Sequence, residues 1–277
     1  MYLNAEGQNL TEFPLLNGFY SEISVFNNMI EDIPESLWGQ SELKVLNLSA
    51  NKIKYISDGL ANLTKLEMID LGHNEISEIP AAIGSLAHLW SYLYIHSNNI
   101  TQLPDELTQL SRLEYLNISQ NKLEKLPKDI GMMTSLKELK AEGNRITALP
   151  DTLCQLHHMV ELHLAGNKIK ALPKNFSNLS RLRCLHLNNN SIADIPIGNI
   201  EMTEIHLRNN LITVIPQEIK ALTKLRKLDL RGNHIRTIPK EILDLKYLER
   251  LDLRWNRIDV VPLWVRELKE QGCLVWV

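Results

Sequence analysis

Proline occupies a single position of a repeated unit throughout this chain of 277 residues. All 11 prolines lie six residues after an asparagine or, in the first copy, after Gln8. One further copy has Asn51 but carries Ser57 where the proline would stand. Most copies are 23 residues apart, as from Asn51 to Asn74, so one supersecondary unit recurs twelve times, which is typical of a solenoid.

Each copy contains a short segment in which apolar and other residues alternate, and the asparagine follows shortly after it. Residues such as Leu46 and Leu48 point to one face of a strand, and the residues between them point to the other face. A side-chain amide both donates and accepts hydrogen bonds, so it can satisfy backbone groups where the chain leaves the strand. We therefore expect a structural column of asparagines, formed by Asn28, Asn51, Asn74, Asn98, Asn121, Asn144, Asn167, Asn190, Asn210, Asn233 and Asn256.

The copy from Leu113 to Leu123 reads LxxLxLxxNxL and is followed by Leu126, Pro127 and Ile130. This pattern resembles the leucine-rich repeat, and its 23-residue IPxxIxxLxxL form is similar to the intracellular, Ras-group type. The resemblance covers nearly the whole chain. It implies an α/β solenoid, a horseshoe with a parallel concave β-sheet and short helical or 3-10 segments on the convex side.

The uninterrupted period predicts a single domain over residues 1–277, with about twelve repeats. Both ends depart from the pattern, so we expect an N-terminal capping repeat at 1–22 and a C-terminal cap at 263–277. One extra residue within 89–93 predicts a bulge before the fifth strand. Between Asn190 and Asn210 the return is too short for a helical turn.

Charge and hydropathy narrow the class of function. A net charge of -3 argues against wholesale binding to nucleic acid or to anionic membranes. The first ten residues lack the pattern of a signal peptide, and no apolar run is long enough to span a membrane. We therefore expect a cytoplasmic, monomeric protein without membrane insertion.

The outward strand positions form columns on the sheet, and three groups of side chains stand out there. The first is aromatic, with Tyr92, Tyr94, His96 and Tyr115 on neighbouring strands. Exposed tyrosines on a rigid sheet suit protein recognition because they bury a large area at a low entropic cost. The alternative is that tyrosine simply fits strands.

The second group contains His163, His186 and His206, which occupy one column of three consecutive strands. Three imidazoles could bind zinc, but side chains on a flat sheet converge poorly, so we expect neither a metal nor a cofactor. Cys184 lies near these histidines, and a thiol nucleophile is the enzyme alternative. No catalytic sequence motif accompanies it, and we expect a protein that is not an enzyme.

The third group is basic, and it includes Arg208, Lys227, Arg231, Arg250 and Arg254. It could dock an acidic or phosphorylated segment of a partner through bidentate arginine contacts. Asp229 and Asp252 lie between the arginines, so the alternative is a lattice of solvated salt bridges.

Together these groups predict a non-catalytic protein-protein interaction module that binds a protein partner on its concave face. The resemblance to the Ras-group type implies a signalling scaffold or regulator. Two alternatives remain open: a host-interacting effector of the same fold, and a small-ligand or metal receptor centred on the histidines.

Overall fold

The computed structural model describes all residues from Met1 to Val277, which form two compact units, Met1–Asn144 and Arg145–Val277. Each unit is a series of coils, and each coil contributes one strand of three residues to a parallel sheet. The strand order follows the chain order within each unit, so every coil stacks on the coil before it. The expected α/β solenoid with a parallel sheet is confirmed.

The first unit contains seven strands and five short helical segments. The strands are β1 (Tyr2–Asn4), β2 (Glu22–Ser24), β3 (Val45–Asn47), β4 (Met68–Asp70), β5 (Tyr92–Tyr94), β6 (Tyr115–Asn117) and β7 (Glu138–Lys140). The returns carry the α-helix α1 (Glu35–Trp38) and 3-10 segments at Asp58–Asn62, Ala81–Ser85, Asp105–Gln109 and Ile130–Met132.

The second unit contains six strands and five short helical segments. The strands are β8 (Glu161–His163), β9 (Cys184–His186), β10 (Glu204–His206), β11 (Lys227–Asp229), β12 (Arg250–Asp252) and β13 (Leu274–Trp276). The returns carry 3-10 segments at Asp151–Gln155, Phe176–Asn178, Gln217–Ala221 and Lys240–Asp244, and the α-helix α2 (Val265–Glu270).

The core follows from the alternation of apolar side chains. The middle residue of β3, Leu46, is fully buried, as is Leu48 just beyond the strand. The strand residues between these positions face the opposite side of the sheet and are partly exposed. On the other side of each coil, prolines such as Pro80 hold the extended backbone (φ -67°, ψ 150°) from which a 3-10 segment begins.

The asparagines form the hydrogen-bonded column predicted from the sequence. Asn121 is typical: its amide nitrogen donates to the carbonyl oxygens of Ile95 (2.9 Å) and Ile118 (3.1 Å). Its Oδ1 accepts from the backbone N–H of Ile100 at 3.1 Å. The column thus links each coil to its neighbour through buried backbone groups that water cannot reach. Asn28, Asn190 and Asn256 are half-buried, and the other members are buried.

Both irregular coils are present in the structure. At β6 the N–H groups of Glu114 and Tyr115 bond to two successive carbonyls, those of Trp90 and Ser91. At β7 the corresponding N–H groups, those of Lys137 and Glu138, both donate to the single carbonyl of Glu114. The coil of β5 therefore has one residue more than the next coil, and this residue lies before β5, as predicted. Between β9 and β10 there is no helical segment, and the buried side chain of Asn199 bonds the carbonyls of Leu179 and Leu182 instead.

The C-terminal segment contains the helix α2 and the last strand, β13, which pairs with β12. Trp264 and Trp276 are both half-buried there. None of the three cysteines forms a disulfide. None of the helices has the length and apolar character needed to cross a bilayer.

Candidate functional site

The outward face of the sheet presents the side-chain columns expected from the sequence. In the first unit, Asp70 pairs with Tyr94 and Tyr94 with Asn117. In the second unit, His163 pairs with His186, and His206 pairs with both His186 and Asp229. The strand register therefore confirms the columns, and the candidate residues of each unit lie on one surface.

In the first unit, Tyr92, Tyr94, His96, Tyr115 and Lys140 form what we call the tyrosine patch. The rings of Tyr92 and Tyr94 are nearly parallel, with centroids 5.6 Å apart. The Tyr115 ring lies 5.3 Å from that of Tyr92 and 5.2 Å from that of Tyr94. The ammonium of Lys140 lies 5.4 Å from the Tyr115 ring centre, within range of a cation–π interaction.

Partial burial alters the acid–base properties of this patch. Burial, followed by the proximity of Tyr115, Tyr92 and Asp70, raises the pKa of Tyr94 to about 12. Burial would lower the pKa of Lys140, but hydrogen bonds to Tyr115 and Glu138 outweigh it and raise that pKa above its ordinary value. At neutral pH the Tyr94 phenol is therefore neutral, and Lys140 is charged and paired with Glu138 at 3.2 Å.

The edge of the tyrosine patch contains a polar group without a partner. His96 Nδ1 is buried and makes no hydrogen bond, and burial lowers the pKa of this imidazole. Burial also raises the pKa of the nearby Asp70 carboxyl. Gly72 leaves the space that the imidazole fills, since a Cβ there would lie 2.7 Å from His96 Nδ1. Because this nitrogen is buried, a bound group would reach it only after the imidazole rotates.

A shallow cavity of about 290 Å³ adjoins the same patch. Its wall includes Trp90, which is 42% exposed, together with Tyr92 and Tyr115. Charged side chains of Glu114, Lys137 and Glu138 complete it. The extra residue before β5 thus adds a partly exposed indole to the tyrosines, which gives the surface a concave apolar feature with a polar rim.

In the second unit, the three histidines form a continuous stack. Ring centroids are 4.5 Å apart between His163 and His186, and 4.3 Å apart between His186 and His206. Each ring also contacts the side chain two residues before it on the same strand. The contacts are Glu161 Oε2 to His163 Nε2 (3.0 Å), Cys184 Sγ to His186 Nε2 (3.1 Å) and Glu204 Oε2 to His206 Nε2 (3.3 Å).

Next to the stack is a cavity of about 340 Å³, which we call the arginine cavity. It is lined by His206, Lys227, Leu228, Asp229, Arg231, Arg250, Asp252, Arg254 and Trp276. Four of these side chains are cationic and two are carboxylates, so the cavity has an excess of positive charge. The predicted basic group is thus brought together, except for Arg208, which does not line it.

The cations of the arginine cavity differ in whether they already form ion pairs with carboxylates of this chain. Arg231 forms a bidentate pair with Asp229, with contacts of 2.9 and 2.5 Å. Arg254 pairs with Asp252 in the same way, at 2.9 and 2.6 Å. Arg250 forms no ion pair, and its guanidinium lies 5.7 Å from the Trp276 ring centre.

Burial opposes ionisation of Asp229, yet the Arg231 side chain and backbone N–H outweigh it and hold the pKa of this carboxyl below its usual value. The salt-bridge alternative therefore describes Arg231 and Arg254. Arg250 is the cation that a partner's anion can reach without breaking an existing pair.

Trp255 is a candidate contact residue that the sequence analysis did not select. The residue is 64% exposed, and the guanidinium carbons of Arg208 and Arg254 each lie 5.6 Å from the centre of its ring. Its backbone has a positive φ of 62°, at the position before the asparagine where other coils have small or polar residues such as Asn209 and Gly232. A bulky residue is strained in this conformation, and such strain is concentrated at functional sites. The sequence does mark this residue, because every other copy has a small or polar residue directly before the asparagine and only this copy has a tryptophan.

The Cys184–His186 contact has the geometry of a thiol–imidazole pair, but the surrounding backbone is already in use. The Cys184 N–H donates to Val160 O, and the Leu187 N–H donates to His206 O, both within the sheet. These groups are therefore not available to stabilise an oxyanion.

Comparison with known proteins gives consistent matches along the chain. A family model described as "Leucine-rich repeat region" matches residues 21–144, and another, described as "Leucine rich repeat", matches residues 134–192 and 200–258. A search among curated proteins finds no match.

Several solved structures are similar. A leucine-rich repeat protein of Leptospira interrogans is 27% identical with a TM-score of 0.72, and the match covers 93% of this chain and 78% of that one. An internalin of Listeria monocytogenes is 25% identical with a TM-score of 0.70, over 91% and 78% of the two chains. The plant peptide hormone receptor RGFR1, solved in complex with RGF2, is 27% identical with a TM-score of 0.81, over 92% of this chain and 43% of the receptor.

Proposed function

Because this chain is a leucine-rich repeat protein, we propose that it is a non-catalytic interaction module whose protein partner docks on the outward face of the sheet. Proteins of this fold typically bind other proteins, and the similar plant receptor was solved in complex with RGF2. The observation that supports the docking face is the tyrosine patch. Fold alone does not assign function, so the proposal depends on that surface.

The tyrosine patch has the physical properties of a recognition hot spot. Its rings contact one another and stand on adjacent strands, so little side-chain entropy remains to be lost on binding. Tyr92 is 42% exposed, which leaves apolar area to bury, and the phenol oxygens provide hydrogen-bonding groups at the same surface. The adjoining cavity beside Trp90 offers a place for a partner's apolar side chain.

We place a second contact surface at the arginine cavity, where the partner would contribute an acidic or phosphorylated segment. Arg250 supplies an unpaired guanidinium, while Arg231 and Arg254 are held in position by their aspartates. An anionic group that enters the cavity would contact Arg250 first. Arg–carboxylate and Arg–phosphate contacts of this kind are short and directional, so they favour specificity.

The non-catalytic part of the proposal is supported by the setting of Cys184. This thiol contacts an imidazole on an open strand face, and the neighbouring backbone donors are used in the sheet. Nucleophilic catalysis would need a substrate pocket and oxyanion donors next to the thiol. On the same basis we propose that the protein needs no cofactor for partner binding.

The biological setting completes the proposal. The 23-residue repeat resembles the intracellular Ras-group type, and we therefore propose a monomeric, cytoplasmic signalling scaffold or regulator. Gel filtration and fractionation of cells that express the full chain test the monomeric state and the compartment directly.

The test of the docking face is affinity capture from native cell extract with three versions of the chain. One is unchanged, one carries Tyr92→Ala and Arg250→Ala, and a control carries Gln109→Ala and Glu218→Ala. All four positions are exposed, so each version should fold. The control changes lie in 3-10 segments on the other side of the coils.

We expect a partner that is retained by the unchanged chain and the control but is lost from the Tyr92/Arg250 variant. Calorimetry with that purified partner should then show at least a tenfold increase in Kd for the variant, since truncation of a hot-spot residue costs about 2 kcal/mol or more. Equal affinity of all three versions would exclude the outward sheet face as the docking site.

A further inference from the structure

Cys184, His186, Glu204 and His206 occupy four neighbouring outward positions on two paired strands. Cys184 and His186 are two residues apart on β9, and Glu204 and His206 are two residues apart on β10. The register pairs Cys184 with Glu204 and His186 with His206. Because residues i and i+2 of a strand share a face, all four side chains project from the same side of the sheet.

The ligand atoms converge although they start from a sheet. One ligand atom each of Cys184, His186 and His206 lies within 4.8 Å of the other two. The Cys184 sulfur is already 3.1 Å from His186 Nε2. Tetrahedral zinc has bonds of about 2.0–2.3 Å and therefore places its ligand atoms roughly 3.3–3.7 Å apart. The three ligand atoms are thus about 1 Å further apart, at most, than this arrangement requires, although the sequence led us to expect that side chains on a flat sheet would not converge.

We propose that Cys184, His186 and His206 bind a zinc ion, and that the carboxylate of Glu204, which lies outside this group of three, turns towards the ion as the fourth ligand. The Glu204 carboxylate contacts His206 at 3.3 Å through Oε2, while Lys227 holds its other oxygen, Oε1, at 2.8 Å. Lys227 is thus a positioning residue that orients the carboxylate, as groups outside the ligand set commonly do.

The ligand chemistry selects zinc among the common divalent ions. A thiolate and two imidazoles favour a borderline-soft ion, whereas calcium and magnesium prefer oxygen ligands alone. On binding, the Cys184 thiol loses its proton to solvent and a sulfur–zinc bond forms. The thiolate and carboxylate then balance the two positive charges of the ion, and the oxidation states of sulfur and zinc do not change.

The proposed zinc site lies beside the one return of the second unit that has no helical segment between its two strands. β9 and β10 are joined by the return that has no helical segment, so this coil lacks the packing that 3-10 segments contribute elsewhere. A zinc ion shared by both strands would tie this short coil to its neighbour. We therefore expect zinc to raise the melting temperature, because an ion that binds only the folded state stabilises it.

The test uses the full chain, stripped with a chelator, and zinc chloride or cobalt chloride as the added metal. Calorimetry should show one zinc per chain with release of protons, and cobalt should produce a thiolate-to-metal charge-transfer band. Cys184→Ser should abolish that band, and both Cys184→Ser and His206→Gln should weaken zinc affinity by about 100-fold or more, since even outer-shell changes cost 10–100-fold. Circular dichroism of each metal-free variant checks that it folds.

His163→Gln is the matched control, because it changes a stacked histidine of the same column outside the proposed set. It should keep both the cobalt band and the zinc affinity within about threefold. The proposal would be overturned by absence of zinc binding to the unchanged chain. Unaltered affinity in Cys184→Ser and His206→Gln would also overturn it, as would an equally large loss in His163→Gln.

Discussion

Replacing Asn121 by alanine should destabilise the protein far more than the loss of one surface amide would. The N–H of Ile100 bonds only to Asn121 Oδ1, and Ile100 is fully buried, so the substitution leaves this donor without a partner. Such a group costs about 1–3 kcal/mol.

The acceptors of the Asn121 amide are less severely affected. Ile118 O keeps its bond from Asn144, and Ile95 O keeps its bond from Asn98. Loss of these shared bonds adds roughly 0.5 kcal/mol each, which gives about 3 kcal/mol in total.

The assay is urea denaturation followed by far-UV circular dichroism, with Asn117→Ala as the matched control. Asn117 lies on the outward face and its Oδ1 accepts from Ser119 N–H, so its loss should cost less than about 1 kcal/mol. Hydrogen exchange at the Ile100 amide gives a local readout, because this N–H should lose protection in Asn121→Ala. Equal destabilisation by the two substitutions would refute the assignment of the asparagine column as a structural ladder.

Three further outcomes follow from the two surfaces. In a spectrophotometric titration one tyrosine should ionise at a pKa of about 12 rather than 10.0, and Tyr94→Phe should remove this step. Because the pKa of Tyr94 is raised in the folded state, the neutral phenol contributes its full share of stability below pH 10, and this share should decline as the pH rises through about 12. Denaturation at several pH values measures the decline. Trp255→Asn should change the free energy of unfolding by no more than about 1 kcal/mol, since relief of left-handed backbone strain offsets two cation–π contacts, while partner affinity measured by calorimetry should fall. Arg231→Ala leaves the buried Asp229 without its paired cation, while Asp252 keeps Arg254, and the substitution should cost about 3 kcal/mol at pH 7. The pKa of Asp229 is depressed in the folded state, so this difference between Arg231→Ala and the unchanged chain should shrink as the pH falls below about 4, and a constant difference would count against the pairing.

The coil architecture could be predicted from the sequence because it depends on side-chain period and repeat length. Leu46 and Leu48 alternate with outward residues, and a fixed spacing aligns each asparagine with the next, so the column register follows directly. The extra residue before β5 was equally visible, because it breaks a period that neighbouring coils keep.

The details of the candidate surfaces could be predicted only in part. The strand positions place Cys184 and His186 on one face of the sheet. Their ligand atoms come together through the rotation and stacking of the rings, and these side-chain torsion angles cannot be read from the sequence. In the same way, the sequence left open whether Arg231 faces a partner or its own Asp229, a choice that depends on side-chain rotamers. Trp255 was missed because it lies just beyond β12, outside the strand positions from which the candidate residues were chosen, although it is the only tryptophan found directly before a repeat asparagine.

The most direct test of the docking face is site-specific cross-linking of the captured partner. A photoreactive amino acid replaces Tyr92 on the outward face in one version of the chain and replaces Gln109 in a 3-10 segment in another. We expect covalent capture of the partner from position 92 and none from position 109. Capture from position 109 alone would contradict the proposal that this protein binds its partner on the outward face of the sheet.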